Sequence, residues 1–316
     1  MMDLVIKDII SETSNIKRFI LAHKSGLALP TYQPGAHIVV KLPSGLERQY
    51  SLCRLPTSGK EYEIAVLEEP NSRGGSKELH KLTVGTALQA KTPQNHFLLA
   101  NPKASALLFA AGIGITPIIP MAQMLKKSGT DFQLHYSAKR AQQTAFFEAL
   151  HSSTYCDKVT FYFSESERIN FNRVLSGANR TWDIYVCGPA NYIEAALSEA
   201  RKLGWPEHKL HREFFAGPQS EILNEASRNA FQVKIASTGE VFDVEPGMTI
   251  TETLEMNGIY IPTSCEEGWC GTCMTPLLEG VADHRDTFLS DSERYEGKII
   301  MPCCSRARSD ALVLDL

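Results

Sequence analysis

What this chain of 316 residues lacks removes several classes of function before any motif is considered. It has no run of Lys and Arg, and its net charge is −4. That argues against nucleic acid and against an anionic membrane surface, because both are bound through clustered cations. It has no unbroken apolar span. Ala106 to Leu125 carries no charge and is long enough to cross a bilayer, but Gly112, Gly114, Pro117 and Pro120 divide it into a buried strand, a turn and a helix start. Charge breaks the N-terminal Met-Met-Asp-Leu-Val-Ile-Lys-Asp before a signal-peptide core forms, which predicts a cytoplasmic protein. Internal repeats and low-complexity tracts are absent. So are a Cys-x-His…Cys-x2-His pair and a two-His-one-carboxylate set, so no oxygen-activating iron is expected within the chain. The remaining composition, 43% apolar and 22% charged, is that of an ordinary globular chain with room for two or three cores.

Cysteine is not scarce. Eight are present, and without an export signal they belong to a reducing compartment, where clustered thiols mean metal or redox chemistry. Cys265-Glu-Glu-Gly-Trp-Cys270-Gly-Thr-Cys273 is followed by Cys303. This C-x4-C-x2-C with one distant Cys is the spacing of a plant-type [2Fe–2S] cluster. Zinc is the alternative, but it usually joins two separated Cys-x2–4-Cys pairs. Here the second half is the adjacent pair Cys303-Cys304, and neighbouring thiolates rarely converge on one tetrahedral ion. Gly268 and Gly271 suit a loop wound tightly enough for amides to approach sulfur. A cluster of this kind carries one electron at a time, so the loop predicts electron transfer.

Patterning divides the chain into three. In residues 1–100 short alternating runs recur: Val5 to Ile10, Ile16 to Ala22, His37 to Leu42, Arg48 to Cys53 and Tyr62 to Leu67. Pro43-Ser44-Gly45 reads as a hairpin turn between two of them, which predicts a small β-barrel without helical periodicity. In residues 101–222 apolar strands at Leu107 to Ala111, Phe132 to Ser137, Val159 to Phe163 and Ile184 to Cys187 alternate with helices. The clearest helix, Asn191 to Lys202, aligns Ile193, Ala196, Leu197 and Ala200 in one stripe. That rhythm predicts a parallel α/β sheet with helices on both faces. After a polar linker, residues 229–316 open with a hairpin, Phe231 to Ala236 and Val241 to Val244. A capping box at Thr249 and Glu252 starts a helix that Gly258 ends, and the cysteine loop follows, as in a β-grasp ferredoxin.

Motifs in the first two segments have the chemistry of nucleotide sites. Arg48-Gln49-Tyr50-Ser51 sets a cation and an aromatic ring on one face of a strand. Arg73-Gly74-Gly75-Ser76 exposes backbone amides at a helix start, and its bland reading is a loop. Gly112-Ile113-Gly114-Ile115-Thr116-Pro117 joins a buried strand to a helix, with Pro117 in the first turn. It is not the G-x-G-x-x-G fingerprint, because Pro117 holds the third glycine position. Cys187-Gly188-Pro189 is expected at the C-terminal end of the last sheet strand, where open α/β sheets bind ligands. A buried Cys is usually only a core thiol.

In this order and over the whole chain, the motifs, ending in Cys303-Cys-Ser-Arg306, resemble the phthalate dioxygenase reductase family, the reductase components of two-component Rieske oxygenases. The resemblance implies that Arg48 and Ser76 bind the FMN phosphate, with Gly74 and Gly75 beside them. It implies that Tyr50, Ser51, Ala65 and Leu67 meet the ribityl chain and ring, with Thr116 and Pro117 near the flavin and Phe215 over the isoalloxazine. Gly112, Gly114, Cys187, Gly188 and Pro189 would hold the nicotinamide of NADH, and Ser137 and Lys139 would lie by the adenine ribose. Cys265, Cys270, Cys273 and Cys303 would ligate iron, leaving Cys304 to pack. The implied partner is a terminal Rieske oxygenase, served by a monomeric reductase. FMN links the two currencies, because NADH gives electrons in pairs and the cluster takes them singly.

Lys139 and Arg140 raise NADPH as an alternative donor, whereas the resemblance leans to NADH. His37, His135, His211 and His284 are scattered and read as structural. A cluster-carrying or redox-sensing protein without turnover is the competing function, and the flavin and nicotinamide motifs speak against it.

Overall fold

The computed structural model describes every residue except 57–58, 71–73, 216–228, 264–265 and 270, together with the side chain of Asp291. The chain divides into two compact units, Met1–Glu213 and Phe214–Leu316.

The first unit opens with a barrel of six strands: β1 (Met2–Ser11), β2 (Ile16–His23), β3 (His37–Lys41), β4 (Glu47–Ser51), β5 (Glu61–Leu67) and β6 (Ala87–Ala90). Their order is β4-β3-β6-β1-β2-β5, and neighbouring strands run antiparallel. A bridge between Leu52 and Ile64 brings the two edges together. Strand alternation sends Leu4, Ile6, Phe19, Leu21, Ile38, Val40, Tyr62 and Ile64 into one core. The barrel also holds one helix, α1 (Gly75–Lys81), which period-2 reading of this segment does not reveal.

The parallel sheet of the same unit contains β7 (Ala106–Ala111), β8 (Phe132–Ala138), β9 (Val159–Phe163), β10 (Asp183–Gly188) and β11 (Leu210–Phe214), in the order β11-β10-β7-β8-β9. β7 pairs in parallel with β8 and β10, and β8 with β9. The connecting helices are α2 (Ile115–Lys127), α3 (Phe147–His151), α4 (Phe171–Ser176) and α5 (Ala190–Lys202). All four residues of the α5 stripe, Ile193, Ala196, Leu197 and Ala200, are buried. One expectation is corrected here. The strand bearing Cys187 is not the last of the sheet, because Leu210-His-Arg-Glu-Phe214 adds an edge strand beyond it. Its polar centre hides it from a search for apolar runs.

The second unit is a β-grasp. It contains β12 (Phe231–Ile235), β13 (Val241–Val244), α6 (Ile250–Met256), β14 (Thr275–Glu279), β15 (Ala282–Asp283), α7 (Asp291–Glu296), β16 (Ile299–Ile300), β17 (Arg306–Ala307) and β18 (Ala311–Leu314). The hairpin β12–β13 is antiparallel, and β12 pairs in parallel with the final strand β18. Thr249 accepts the Glu252 amide while Glu252 accepts the Thr249 amide, so the capping box starts α6. A separate core of Val233, Ile235, Ile250, Leu254, Leu289, Ile300 and Leu312 lies beneath. Among the described residues no helix is long and apolar enough to cross a membrane.

Candidate functional site

On the barrel, β4 carries Arg48 past the first turn of α1. A Cβ on Gly75 would lie 2.6 Å from Arg48 Cγ and 3.0 Å from its Nε, so only glycine admits this crossing. Arg48 Nη1 donates to the Glu47 carbonyl at 2.8 Å. Gly74 caps the helix at φ 97°, in the left-handed region. Ser76 Oγ accepts the Glu69 amide at 3.2 Å. Tyr50 packs on the barrel core, and burial holds its phenol well above the usual value. Ser51 and Ala65 are buried, and Leu67 is half-buried. The motif partner Arg73 lies outside the described residues.

Between β7 and α2 the chain turns through Gly112, Ile113 and Gly114, and this turn touches β5 of the barrel. Thr116 is buried and donates to the Ile113 carbonyl at 3.0 Å. Pro117 sits in the first turn of α2, buried. Gly114 packs against the end of β10: a Cβ there would overlap the Cys187 carbonyl and lie 2.7 Å from Gly188 N. A Cβ on Gly188 would meet that of Ala111 at 2.8 Å. Thus the ends of β7 and β10 close on one another backbone to backbone beside the turn that meets the barrel.

Burial, and then the nearby Glu213, push the Cys187 thiol up, so it is not a thiolate. Glu213, on β11, was not singled out by the motifs. Its carboxyl is buried, Oε2 has no hydrogen-bond partner, and burial pushes its pKa up to about 8. In sequence it is one acid in a polar strand, so only the tertiary fold reveals its desolvation. Ser137 Oγ lies 3.3 Å from the Tyr192 hydroxyl. Lys139 and Pro189 are exposed, and Phe215 is half-buried.

In the second unit, Cys265 and Cys270 lie outside the described residues. Cys273 and Cys303, 30 residues apart, bring their sulfurs to 3.2 Å, both buried. A disulfide holds sulfurs at about 2.05 Å, whereas one tetrahedral ion with ~2.3 Å bonds spreads two thiolates to roughly 3.7 Å. The pair therefore suits metal thiolates. Cys304 turns away toward the Met301 carbonyl, 3.7 Å from its sulfur. Gly268 (φ 74°) and Gly271 (φ 76°) let the loop pass close to its wall: Cβ atoms there would strike Cys304 Sγ and the Phe288 ring. Thr287 N donates to the Gly268 carbonyl at 2.9 Å. Asp286, with its side chain fully buried, accepts the Leu289 amide at 2.8 Å and faces Arg294 and His284 at 3.5 and 3.6 Å. The donor set and the cradle fit an iron–sulfur cluster.

The histidines have structural surroundings. Burial lowers His37 and His135 to about 4, so both are neutral at physiological pH. His135 stacks on Phe109, and His211 stacks on Tyr185.

Comparison with known proteins agrees with this architecture. A 2Fe-2S iron-sulfur cluster binding domain family matches residues 233–308. A vanillate O-demethylase oxidoreductase from a Pseudomonas species is 43% identical over 319 residues, covering 100% of this chain and 98% of that protein. Among solved structures, phthalate dioxygenase reductase, described as a modular structure for electron transfer from pyridine nucleotides to [2Fe-2S], overlays with a TM-score of 0.75 at 33% identity. The overlay covers 100% of this chain and 98% of that one. An intact type IV self-sufficient cytochrome P450 monooxygenase overlays with a TM-score of 0.87 at 35% identity, and this chain spans only 41% of its length. With a barrel, a parallel nucleotide sheet and a cluster-type β-grasp in this order, and with full-length relatives well above 30% identity, the chain belongs to the phthalate dioxygenase reductase family of flavin- and [2Fe-2S]-dependent oxidoreductases.

Proposed function

We propose that this chain is the reductase component of a two-component Rieske-type oxygenase or demethylase, passing electrons from NADH through FMN and a [2Fe–2S] cluster to a separate terminal oxygenase. The observation that carries the reading is the Gly112–Gly114 turn, which touches β5 of the barrel on one side and packs against Cys187 and Gly188 on the other. A nicotinamide and a flavin brought together there would stack. When bound, FMN accepts the electron pair of NADH and releases it one electron at a time.

The chain's own residues supply position, desolvation and fixed charge. Arg48, Gly74, Gly75 and Ser76 hold the FMN phosphate. Tyr50, Ser51, Ala65 and Leu67 line its ribityl chain and ring, and Thr116 and Pro117 edge the flavin. Phe215, half-buried, is the aromatic residue that the family resemblance assigns to the flavin. Gly112, Gly114, Cys187, Gly188 and Pro189 receive the nicotinamide, and the protonated Glu213 offers its carboxamide a hydrogen bond. Ser137 and Lys139 meet the adenine ribose. Arg140 already faces Glu165 at 3.5 Å, and that carboxylate would repel a 2′-phosphate, which favours NADH over NADPH. Excluding water and aligning two rings is most of what hydride transfer asks of a protein. Cys265, Cys270, Cys273 and Cys303 hold the cluster.

Similarity to vanillate O-demethylase oxidoreductase supports a demethylating oxygenase as the electron acceptor. The reductase acts as a cytoplasmic monomer. An anaerobic NADH titration followed by visible absorption and electron paramagnetic resonance tests this reading. Joint bleaching of the flavin and cluster bands with a rhombic reduced-cluster signal is the expected result. A cluster that NADH does not reduce despite bound FMN would leave a cluster-carrying sensor instead.

A further inference from the structure

Polar contacts not used above join the barrel to the nucleotide sheet and, deeper in that sheet, reach the Gly112 turn. Glu12 lies in the connection between β1 and β2. Its Oε1 accepts Arg18 Nε at 2.8 Å, and its Oε2 accepts the amide of Phe146 at 2.9 Å, 134 residues further along the chain. Phe146 is held at φ 60°, left-handed backbone that a bulky side chain rarely adopts. The Arg18 guanidinium lies 5.5 Å over its ring. Such strain persists only where surrounding contacts over-determine it, and here the contacts come from the barrel.

A second contact lies deeper in the sheet. Tyr136 stands on β8 with its side chain fully buried, and its hydroxyl donates to the Gly112 carbonyl at 3.0 Å. Burial keeps this phenol protonated and therefore a donor. A Phe would fill the same space, so the buried hydroxyl is present for that acceptor. Gly112 opens the turn that carries Gly114 and Thr116.

We propose that Tyr136 and Glu12 are positioning residues, which together hold the Gly112–Thr116 turn at the spacing from the barrel that stacks nicotinamide on flavin. Neither touches a cofactor. Tyr136 acts through the Gly112 carbonyl, and Glu12 acts by tying the β1–β2 connection to Phe146 in the nucleotide half of the unit. The inference rests on the reading that this turn lies at the junction of the two rings.

The test uses the full-length FMN-loaded protein with Tyr136→Phe, Glu12→Ala and the double variant. Three quantities are measured: the FMN dissociation constant, the long-wavelength absorbance of stacked nicotinamide and flavin, and the rate of flavin reduction at saturating NADH. In either single variant, FMN affinity is expected within twofold of wild type, with a weakened stacking band and reduction slowed tenfold or more. The double variant should be slower than either single one, because each change removes a separate tie. Wild-type rates with an intact band in Tyr136→Phe would overturn the proposal, as would a wild-type rate in Glu12→Ala. If one variant does not fold, the other decides by the same two readouts. A wild-type protein whose flavin NADH does not reduce would overturn the reading beneath the proposal, and the proposal with it.

Discussion

Glu213 shows what a single residue acquires from its surroundings. An exposed glutamate ionises near 4.3, but burial raises this one to about 8. Between those values the folded chain keeps a proton that the unfolded chain has lost. The stability linked to this group is full below the unfolded pKa, falls as pH rises, and is lost once pH passes about 8. The slope is at most about 1.4 kcal/mol per pH unit. Glu213→Gln cannot ionise and is free of this slope. Thermal melts at pH 5, 6.5 and 8 are therefore expected to show the wild type losing ground to the variant at each step, and a constant difference would refute the buried acid. The other site residues were legible as residue types but not as contacts. Arg48-x-Tyr-Ser stands out on a strand, yet nothing local says that Arg48 lies across Gly75.

Elements were legible where their cause is local. The α5 stripe, the Thr249 box and the hairpins at Pro43-Ser44-Gly45 and Ser237 to Glu240 each follow from periodicity or capping within a dozen residues. Strand β11 escaped because its stability comes from its neighbour in the sheet and not from its own composition. Helix α1 was legible only through the glycines at its start, because seven residues make less than two full turns of pattern. Its Gly75 separates packing from propensity. Gly75→Ala gains at most about 1 kcal/mol of helix propensity, and the clash with Arg48 offsets it, so stability should not rise. The added methyl would displace Arg48, so FMN affinity should fall tenfold or more. Fluorescence titration beside a melting curve measures both, and unchanged FMN affinity would separate Arg48 from the phosphate.

Across the whole molecule, charge is unevenly shared. Residues 229–316 carry 15 Asp and Glu against 6 Lys and Arg, while residues 1–228 carry 21 against 26. An acidic cluster unit attracts basic protein surfaces over a distance set by the Debye length. Reduction of a basic one-electron acceptor protein should therefore slow several-fold between about 0.02 and 0.3 M salt. Flavin reduction by NADH, which needs no protein partner, should change far less. Equal salt dependence of the two steps would show that the field of the second unit does not steer its partner.

The sequence by itself determined the three kinds of architecture, their order along the chain and the spacing of the thiols, because strand and helix periods, caps and cysteine spacings are written in residues close together. Only the tertiary structure decided which distant segments meet. Gly114 packs on Cys187, the sulfurs of Cys273 and Cys303 meet, Glu213 loses its water, and Glu12 reaches Phe146 across 134 residues. Desolvation and close approach are properties of the packed interior, and no local pattern encodes them.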